Sequence, residues 1–376
     1  MRGSTRKQAA AAVLILCIAV VGAVQGPLVS SAQDNDCALR YVAQGDNVPN
    51  GVDLNDADGD YPSKLLTDHL EKAPGPWCLY ETAKKDATSA TYISEVNDGT
   101  SQQGSAWNLR PRLVTVQLGR HDDGIVKHVT DCLKDIKDHD FLDANTCALG
   151  VLANQQAWDE LTDNLSEILG ELKTQMDGNP DMVVAVLGYY NPYPKALTVT
   201  TKVPTFCAEL VDTTATCIIR WVQLPPALIT LDQVVKRLNT TVSEVVDHFT
   251  LAAQGRFVFV NPYEKFKDHC TTMNVKIETK VYHPTNTVHD HNTSKTDFGC
   301  STTWIKSDEN KGTKTPFLYL TPAVSGVLTF AKQETTDMGI NPNADGHTCI
   351  SDLIWNAVKL KLEVPEPVVE DSEVCS

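Results

Sequence analysis

The stretch RYVAQGDNVPNG, residues 40–51, carries the pattern from which the fold can be predicted. Residues 39–43 form a short apolar run without regular polar alternation, which is typical of a strand covered on both faces of a sheet. The run ends at Gly45 and Asp46, and Asn47 follows at once. Functional residues of parallel sheets lie in the loops at the carboxyl ends of the strands. The chemical role of Asn47 is therefore the first question that the sequence raises.

Similar apolar runs recur along the chain, with helical patterns between them. The predicted buried strands are residues 39–43, 113–118, 182–187 and 257–260, with a weaker fifth at 77–80. The predicted helices are residues 61–69, 124–137, 158–176, 231–249 and 348–362. This alternation predicts an α/β fold, a three-layer α/β/α sandwich with a mostly parallel five-stranded sheet. Its candidate functional loops are residues 44–50, 119–123, 188–194 and 261–263.

The first 32 residues predict export. Arg2, Arg6 and Lys7 precede an uncharged run at 9–24, and small residues at 30–32 fit a signal peptidase site. A membrane anchor is the alternative, but the 16 residues of this run fall short of the roughly 20 that a spanning helix needs. We therefore expect a signal peptide at residues 1–32, a secreted, extracellular protein and no transmembrane anchor after cleavage.

The remaining chain is acidic and rich in cysteine. Cleavage would remove three positive charges and take the net charge from −16 to −19, which argues against nucleic acid as a partner. One of the eleven cysteines lies in the predicted signal peptide, so ten remain for up to five disulfides in an oxidising compartment. The pairing is open, and the pairs that would close a local loop are Cys132 with Cys147, Cys207 with Cys217, and Cys270 with Cys300.

Composition also divides the chain. We expect one domain over residues 33–363, with disulfide-pinned insertions at about 191–230 and 266–330, where Thr, Pro, Asn and Cys replace helical periodicity. Residues 364–376 form an acidic, extended carboxyl-terminal tail.

Two polar clusters raise the question of a metal. In DLNDADGD, residues 53–60, an EF-hand register would place Leu54 and Leu65 at the first and twelfth ligand positions, which excludes that motif. In HPTNTVHDH, residues 283–291, the alternatives are a metal site and an exposed polar loop, and the loop is favoured. We predict no metal and no cofactor.

Four sequence blocks occur in an order that resembles the secreted SGNH (GDSL-type) hydrolases, particularly the disulfide-containing actinobacterial esterases and lipases. They are YVAQGDN with the later YPSKLL, then LVTVQLGRHD, then VVAVLGYYNPYP, and finally INPNADGHTCISDLIW. The resemblance extends from about residue 40 to residue 357. It implies the flavodoxin-like sandwich of that family and an ester hydrolase activity.

In the family, a serine attacks the ester, a histidine accepts its proton, and an aspartate three residues earlier orients that histidine. A backbone N–H, a glycine of the second block and an asparagine of the third block hold the oxyanion. Carried onto this sequence, the nucleophile position is Asn47 and the oxyanion asparagine position is His121. The histidine position is Asn341 and the aspartate position is Met338. None of the four matches the family.

These replacements remove the implied chemistry. Asn47 has no hydroxyl to deprotonate, and Asn341 is not a general base near neutral pH. Met338 cannot orient a base. His121 keeps the ability to donate a hydrogen bond to an oxyanion.

Neighbouring residues offer no clear substitute. His347 fits a helix amino terminus better than a catalyst, and Ser63 fits an N-cap or first-turn position. Asp337 lies one position before the expected acid, but it has no histidine to orient.

The sequence therefore predicts a secreted SGNH hydrolase-like protein that is degenerate in catalysis and has a groove for a lipid, acyl or glycan ligand. The expected binding positions are Gly45, Asp46, Asn47, Gly119, His121 and Asn341. The alternative is an active carboxylic-ester hydrolase (an esterase or lipase) that uses a displaced constellation of residues.

Overall fold

The structure, a computed structural model, describes residues 37–52, 54, 59–97, 109–122, 125, 132, 141–193, 224–270, 272–282, 288–299, 303, 305, 314–315, 328–336, 341–363 and 375. Several predictions lie outside these residues. They are the signal peptide, most of the helix at 124–137, Asp337, Met338 and most of the acidic tail. Of the histidine cluster at 283–291, the structure describes only part of the backbone.

The predicted parallel sheet is confirmed. Its strands are β1 (Leu39–Gly45), β2 (Trp77–Glu81), β3 (Leu113–Gln117), β4 (Val183–Leu187) and β5 (Phe257–Val260). They lie in the order β2-β1-β3-β4-β5, and every neighbouring pair is parallel. This is the flavodoxin-like strand order of a doubly wound sheet. The carboxyl ends of all five strands therefore lie at one edge.

The central strands β3 and β4 show why continuous apolar runs predicted this sheet. Every residue of both strands is buried. A strand covered by helices on both faces has no solvent-facing side, so polar alternation disappears from its sequence. Packing of these strands against the helices forms the core.

The helices are α1 (Tyr61–Lys64), α2 (Ser89–Asn97), α3 (Phe141–Ala153), α4 (Gln155–Gly178), α5 (Leu224–Ala252), α6 (Tyr263–Phe266) and α7 (Ala344–Val358). The predicted helix at 61–69 continues from α1 as a π-helical turn, Leu65–His69, and a 3-10 turn, Leu70–Lys72. None of the described helices has the length and apolar character needed to cross a bilayer.

Helix α5 begins seven residues before the predicted start at 231, so the expected insertion at 191–230 does not extend past residue 223. The apolar stripe of the helix continues backward through Leu228 to Leu224, both of which are buried. Two prolines in the first turn are tolerated because the first N–H groups of a helix have no intrahelical partner.

The second predicted insertion contains a sheet that the sequence analysis did not anticipate. Its strands are β6 (Thr272–Tyr282), β7 (Val288–Gly299), β8 (Lys314–Thr315) and β9 (Leu328–Thr336). They are antiparallel, in the order β7-β6-β9-β8, and extend past the expected limit of residue 330. Threonine and valine favour strands, so the absence of helical periodicity here indicated β structure rather than loops alone.

Disulfides connect distant parts of the fold. The predicted Cys132–Cys147 bond is present and closes a separation of 15 residues. Two further bonds, Cys37–Cys78 and Cys349–Cys375, were not predicted. The first joins the start of β1 to β2, and the second holds one residue of the acidic tail on α7. Cys270 is also disulfide-bonded, whereas Cys207 and Cys217 lie outside the described residues.

Candidate functional site

The candidate site begins where β1 ends at Gly45. This residue has φ 145°, and a Cβ atom placed on it would lie 2.3 Å from the backbone oxygen of Gln117 in β3. Only glycine permits so close an approach between the two strands. The backbone N–H of Asp46 then donates to the same Gln117 oxygen at 3.1 Å. The turn that carries Asn47 is thus fixed against β3.

The side chain of Asn47 forms a two-point contact with Asp86. Asn47 Nδ2 donates to Asp86 Oδ1 at 2.9 Å, and the Asp86 backbone N–H donates to Asn47 Oδ1 at 2.5 Å. Asp86 lies in the loop after β2 with a left-handed φ of 57°. Aspartate is one of the few residues with a side chain that adopts this conformation with some frequency. Both polar atoms of the Asn47 amide are therefore engaged with one residue.

His121 approaches the same pair from the loop after β3. Its Nδ1 lies 3.8 Å from Asp86 Oδ1, and its side chain is 16% exposed, whereas that of Asp86 is 61% exposed. Its Nε2 is buried and has no hydrogen-bond partner among the residues that the structure describes. Burial lowers the pKa of His121, while the charge of Asp46 opposes that effect. A neutral imidazole therefore lies beside the Asn47–Asp86 pair at neutral pH.

Gly119 shapes the loop that carries His121. It has φ 114°, and an added Cβ atom would lie 3.0 Å from Leu161 Cδ1 of α4. The close packing of α4 against this turn requires the absence of a side chain. Gly119 thus acts on the backbone of the site.

Asp46 connects this region to the loop after β4. It is fully buried, and its Oδ1 accepts the Val48 N–H at 3.2 Å. Its Oδ2 accepts the Tyr189 hydroxyl at 2.5 Å. Burial raises the pKa of Asp46, and electrostatic interactions with His121, when it is protonated, and with Arg120 oppose this rise. Asp46 therefore acts as a buried acceptor that holds two strand-end loops together.

A second buried network lies behind His121. Asp122 accepts the backbone N–H of Ser89 at 2.8 Å and also the Ser89 hydroxyl. Asn164 Nδ2 of α4 donates to Ser89 Oγ at 2.9 Å. Ser89 is fully buried at the first residue of α2, so its hydroxyl fixes the start of that helix and is closed to a substrate.

The residues of the carboxyl-terminal sequence block fix the start of α7 and its contact with α1. Asn341 is buried ahead of α7, and Asn343 caps that helix by accepting the Gly346 N–H at 2.9 Å. His347 is fully buried, and its Nδ1 accepts the Tyr61 N–H at 3.0 Å. Burial lowers the pKa of His347 to about 3. The Nδ1 lone pair is therefore committed to the start of α1.

Ser63, the other neighbour weighed from sequence, lies in the first turn of α1. Its backbone N–H donates to Oδ1 of the N-cap residue Asp60 at 2.8 Å. This agrees with the expected first-turn position and gives the serine no link to His121.

Sequence reasoning missed Asp86, which contacts both Asn47 and His121. A signal was available, because the loop after the weak strand at 77–80 also lies at a carboxyl strand end. Its backbone N–H donates to Asn47 Oδ1, so the loop after β2 contacts the turn after β1.

Among the described residues, His121 has no hydrogen bond to a hydroxyl or thiol, and Asn47, Asp86 and His121 form no nucleophile–base pair of the serine type. Across that same part of the chain, no three His, Cys, Asp or Glu side chains group as metal ligands. The geometry instead presents amide, carboxylate and imidazole groups that can bind polar ligand atoms.

Comparison with known proteins gives a likeness to solved structures alone, since no family model and no curated protein matches the chain. An extracellular lipase from Streptomyces rimosus is 14% identical, with a TM-score of 0.50, and the match covers 85% of this chain and all of that one. A phospholipase A1 from Streptomyces albidoflavus is 18% identical, with a TM-score of 0.41 and coverage of 62% and 84%. A lipase/acylhydrolase from Enterococcus faecalis is 11% identical, with a TM-score of 0.38 and coverage of 88% and 100%. With the strand order and the blocks along the sequence, the first of these likenesses identifies the chain as having the fold of the SGNH (GDSL-type) hydrolases.

Proposed function

We propose that this protein is a secreted SGNH-fold protein that does not hydrolyse esters and that binds a ligand at the carboxyl edge of its sheet. The single observation that carries the proposal is the two-point contact between Asn47 and Asp86. It joins the position of the nucleophile to a backbone N–H of the kind that would hold an oxyanion.

The first consequence of this contact concerns the attacking group. A serine hydroxyl becomes a nucleophile when a base removes its proton. The Asn47 amide has no such proton, and its oxygen already accepts the Asp86 N–H. The amide oxygen occupies the donor that an ester carbonyl would need. Attack and stabilisation of the oxyanion are thus lost together.

The second consequence is electrostatic. Removal of one oxyanion donor lowers kcat by about 10² to 10³ in a serine hydrolase. Here the Asp86 carboxylate also lies within 2.9 Å of Asn47 Nδ2, so a negative charge lies beside the position where an oxyanion would form. Like charges repel, and this arrangement disfavours the transition state of ester hydrolysis.

The described histidines near the site do not restore a base. His347 is committed to the Tyr61 N–H, and its pKa of about 3 reflects burial of a neutral ring. His121 lies near Asp86 but has no hydroxyl partner. An aspartate–imidazole pair without a nucleophile does not constitute a triad.

Ligand binding and secretion have separate support. The Tyr189 hydroxyl donates to Asp46 and accepts the Arg120 N–H at 3.4 Å, so buried hydrogen bonds hold the loops after β1, β3 and β4 together. This gives a preorganised surface at the edge where ligands bind in such folds. Lipid, acyl and glycan ligands are the candidate classes. Three disulfides within the described residues agree with an oxidising, extracellular compartment, as does the amino-terminal signal pattern.

The test is an assay of the purified chain from residue 33 onward. Short-chain nitrophenyl esters should be hydrolysed no faster than in buffer, and a fluorophosphonate probe should label no residue. Turnover or labelling would instead favour the displaced-constellation hydrolase. Asp86→Asn and His121→Gln variants would then show whether that activity depends on the Asp86–His121 pair.

A further inference from the structure

A cavity of about 400 Å³ opens beside the loops after β4 and β5. Asn191 of the loop after β4, Asp232 and Lys236 of α5, and Tyr263 of α6 contribute to its wall. Its volume lies in the range of small-molecule sites, roughly 300–1,000 Å³. Residues 188–194 and 261–263 are two of the strand-end loops at which the sequence predicts function.

Asp232 organises the polar side of this cavity. Its Oδ1 accepts Asn191 Nδ2 at 2.6 Å and the Tyr263 hydroxyl at 2.5 Å. Its Oδ2 is paired with Lys236 Nζ at 2.8 Å. One carboxylate thus positions side chains from three separate elements, which is the preorganisation that a binding site requires.

The charges of the cavity are balanced in pairs. Lys236 is paired with Asp232, and Lys267 Nζ lies 3.3 Å from Glu264 Oε2. A ligand with a net charge would have to compete with an existing partner for either lysine, so the lining favours a neutral ligand. The amide, carboxylate, ammonium and phenol groups still have capacity for further hydrogen bonds.

An apolar surface adjoins these polar groups. Tyr263 presents its ring near Lys236, whose Nζ is 5.6 Å from the ring centroid. Ile229, which lies on α5, is half exposed on the same wall. Such a mixture suits a molecule with hydroxyls around its rim and C–H groups on its faces, which is the chemistry of a pyranose ring.

We propose that this cavity binds a neutral sugar residue of a glycan. The proposal rests on the non-hydrolytic binding role above and names the class of ligand. Asn239 of α5 holds the loop after β4 by accepting the Tyr189 N–H at 2.6 Å and donating to the Tyr189 oxygen at 2.7 Å. The same tyrosine donates to Asp46, so the loop that bounds the cavity is held to the candidate site.

The experiment measures binding to the purified chain by isothermal titration calorimetry. The probes are neutral malto-, cello-, xylo- and chito-hexaose, with octanoate as an anionic acyl probe. We expect saturable binding of at least one hexaose and none of octanoate. Failure of all four hexaoses to bind, or binding of octanoate alone, overturns the proposal.

Variants locate the binding. Lys236→Met and Tyr263→Ala should each weaken hexaose binding at least tenfold, and Tyr263→Phe, which keeps the ring, should weaken it two- to fivefold. Lys173→Met is the matched control, because Lys173 forms the same i,i+4 ion pair with Asp177 on α4. Hexaose binding that survives in both Lys236→Met and Tyr263→Ala overturns the assignment to this cavity. Circular dichroism confirms that each variant is folded.

The two proposals fail separately. Ester turnover by the same preparation overturns the non-hydrolytic function, whatever the calorimetry gives. A silent ester assay without binding of any hexaose overturns the sugar site and leaves the loss of hydrolysis standing.

Discussion

The candidate site after β1 and β3 and the cavity beside β4 and β5 lie at the same edge of one sheet, but they use polar groups differently. In the first, Asn47 and Asp86 satisfy each other through two hydrogen bonds, with a neutral His121 beside them. In the second, Asp232 gathers three donors around an open volume of about 400 Å³. The same edge of the sheet thus contains one site whose polar groups bond to each other and one preorganised cavity. Under the proposed function, the first region has lost the catalytic groups and the second provides the binding surface.

The largest expected effect on stability concerns the close backbone contact between the ends of β1 and β3. Gly45→Ala should lower the free energy of unfolding by about 3 kcal/mol or more, because its Cβ would meet the Gln117 oxygen at 2.3 Å and its φ is positive. Gly170→Ala, in the interior of α4 with nothing within 4 Å of the new Cβ, should instead stabilise by about 0.5–1 kcal/mol. Urea unfolding measures both. Equal effects would refute the strand-contact explanation.

Acid should weaken the contact between α7 and α1, in which His347 accepts the Tyr61 N–H. The unfolded His347 pKa is about 6.5 and the folded value is about 3, so below pH 6.5 the unfolded chain binds a proton that the folded chain does not. The contribution of His347 is complete above pH 6.5 and is lost as the pH falls toward 3. Between pH 6.5 and 4.5 the loss should be about 2 kcal/mol.

Urea unfolding at several pH values, with His347→Asn and the exposed His248→Asn as its control, measures this effect. The first variant should flatten the dependence on pH, and the second should leave it close to that of the parent. A parent whose stability does not fall between pH 6.5 and 4.5 would contradict a buried neutral His347.

Asn47→Ser tests whether a single substitution is enough to give the candidate site ester hydrolase activity. Nitrophenyl ester hydrolysis should stay at background, because the proposed assignment puts Asn341 at the position of the base and Met338 at that of its orienting acid. Stability should fall by about 1 kcal/mol, since both contacts to Asp86 are lost. Asn50→Ser, which removes a single bond to the Ala83 oxygen in the same turn, is the control. Hydrolysis by Asn47→Ser would show that a base is present.

The smallest expected effect concerns the charge beside His121. The Asp86 carboxylate opposes the lowering of the His121 pKa by burial, so Asp86→Asn should lower that pKa further. An NMR titration of the imidazole C–H resonances measures the change. An unchanged or higher His121 pKa would mean that the two groups do not interact in solution.

Prediction from sequence was most successful for the buried strands. Each of the five runs lies within a residue or two of a strand, because burial on both faces removes polar residues from the run itself. The second sheet was missed since its strands lack such runs. The early start of α5 was missed because prolines usually mark the end of a helix, although they are tolerated in its first turn.

For the site, the sequence predicted positions and not contacts. It marked Asn47 and His121 at strand ends, and both reach Asp86. It did not mark Asp86 itself, because that contact joins loops 39 residues apart and depends on a left-handed backbone. The role of Asn341 and Met338 remains a prediction, and Met338 lies outside the described residues.

The sequence by itself determined the α/β class and the five parallel strands, and it predicts the absence of a serine, a histidine and an aspartate from the triad positions of the resemblance. These properties are local, because each depends on a short run of residues. Only the tertiary structure decided that Asn47 is held by Asp86 and that Asp232 joins three elements around a cavity. Such contacts form between residues distant in the chain, and packing of the sheet and helices determines which of them meet.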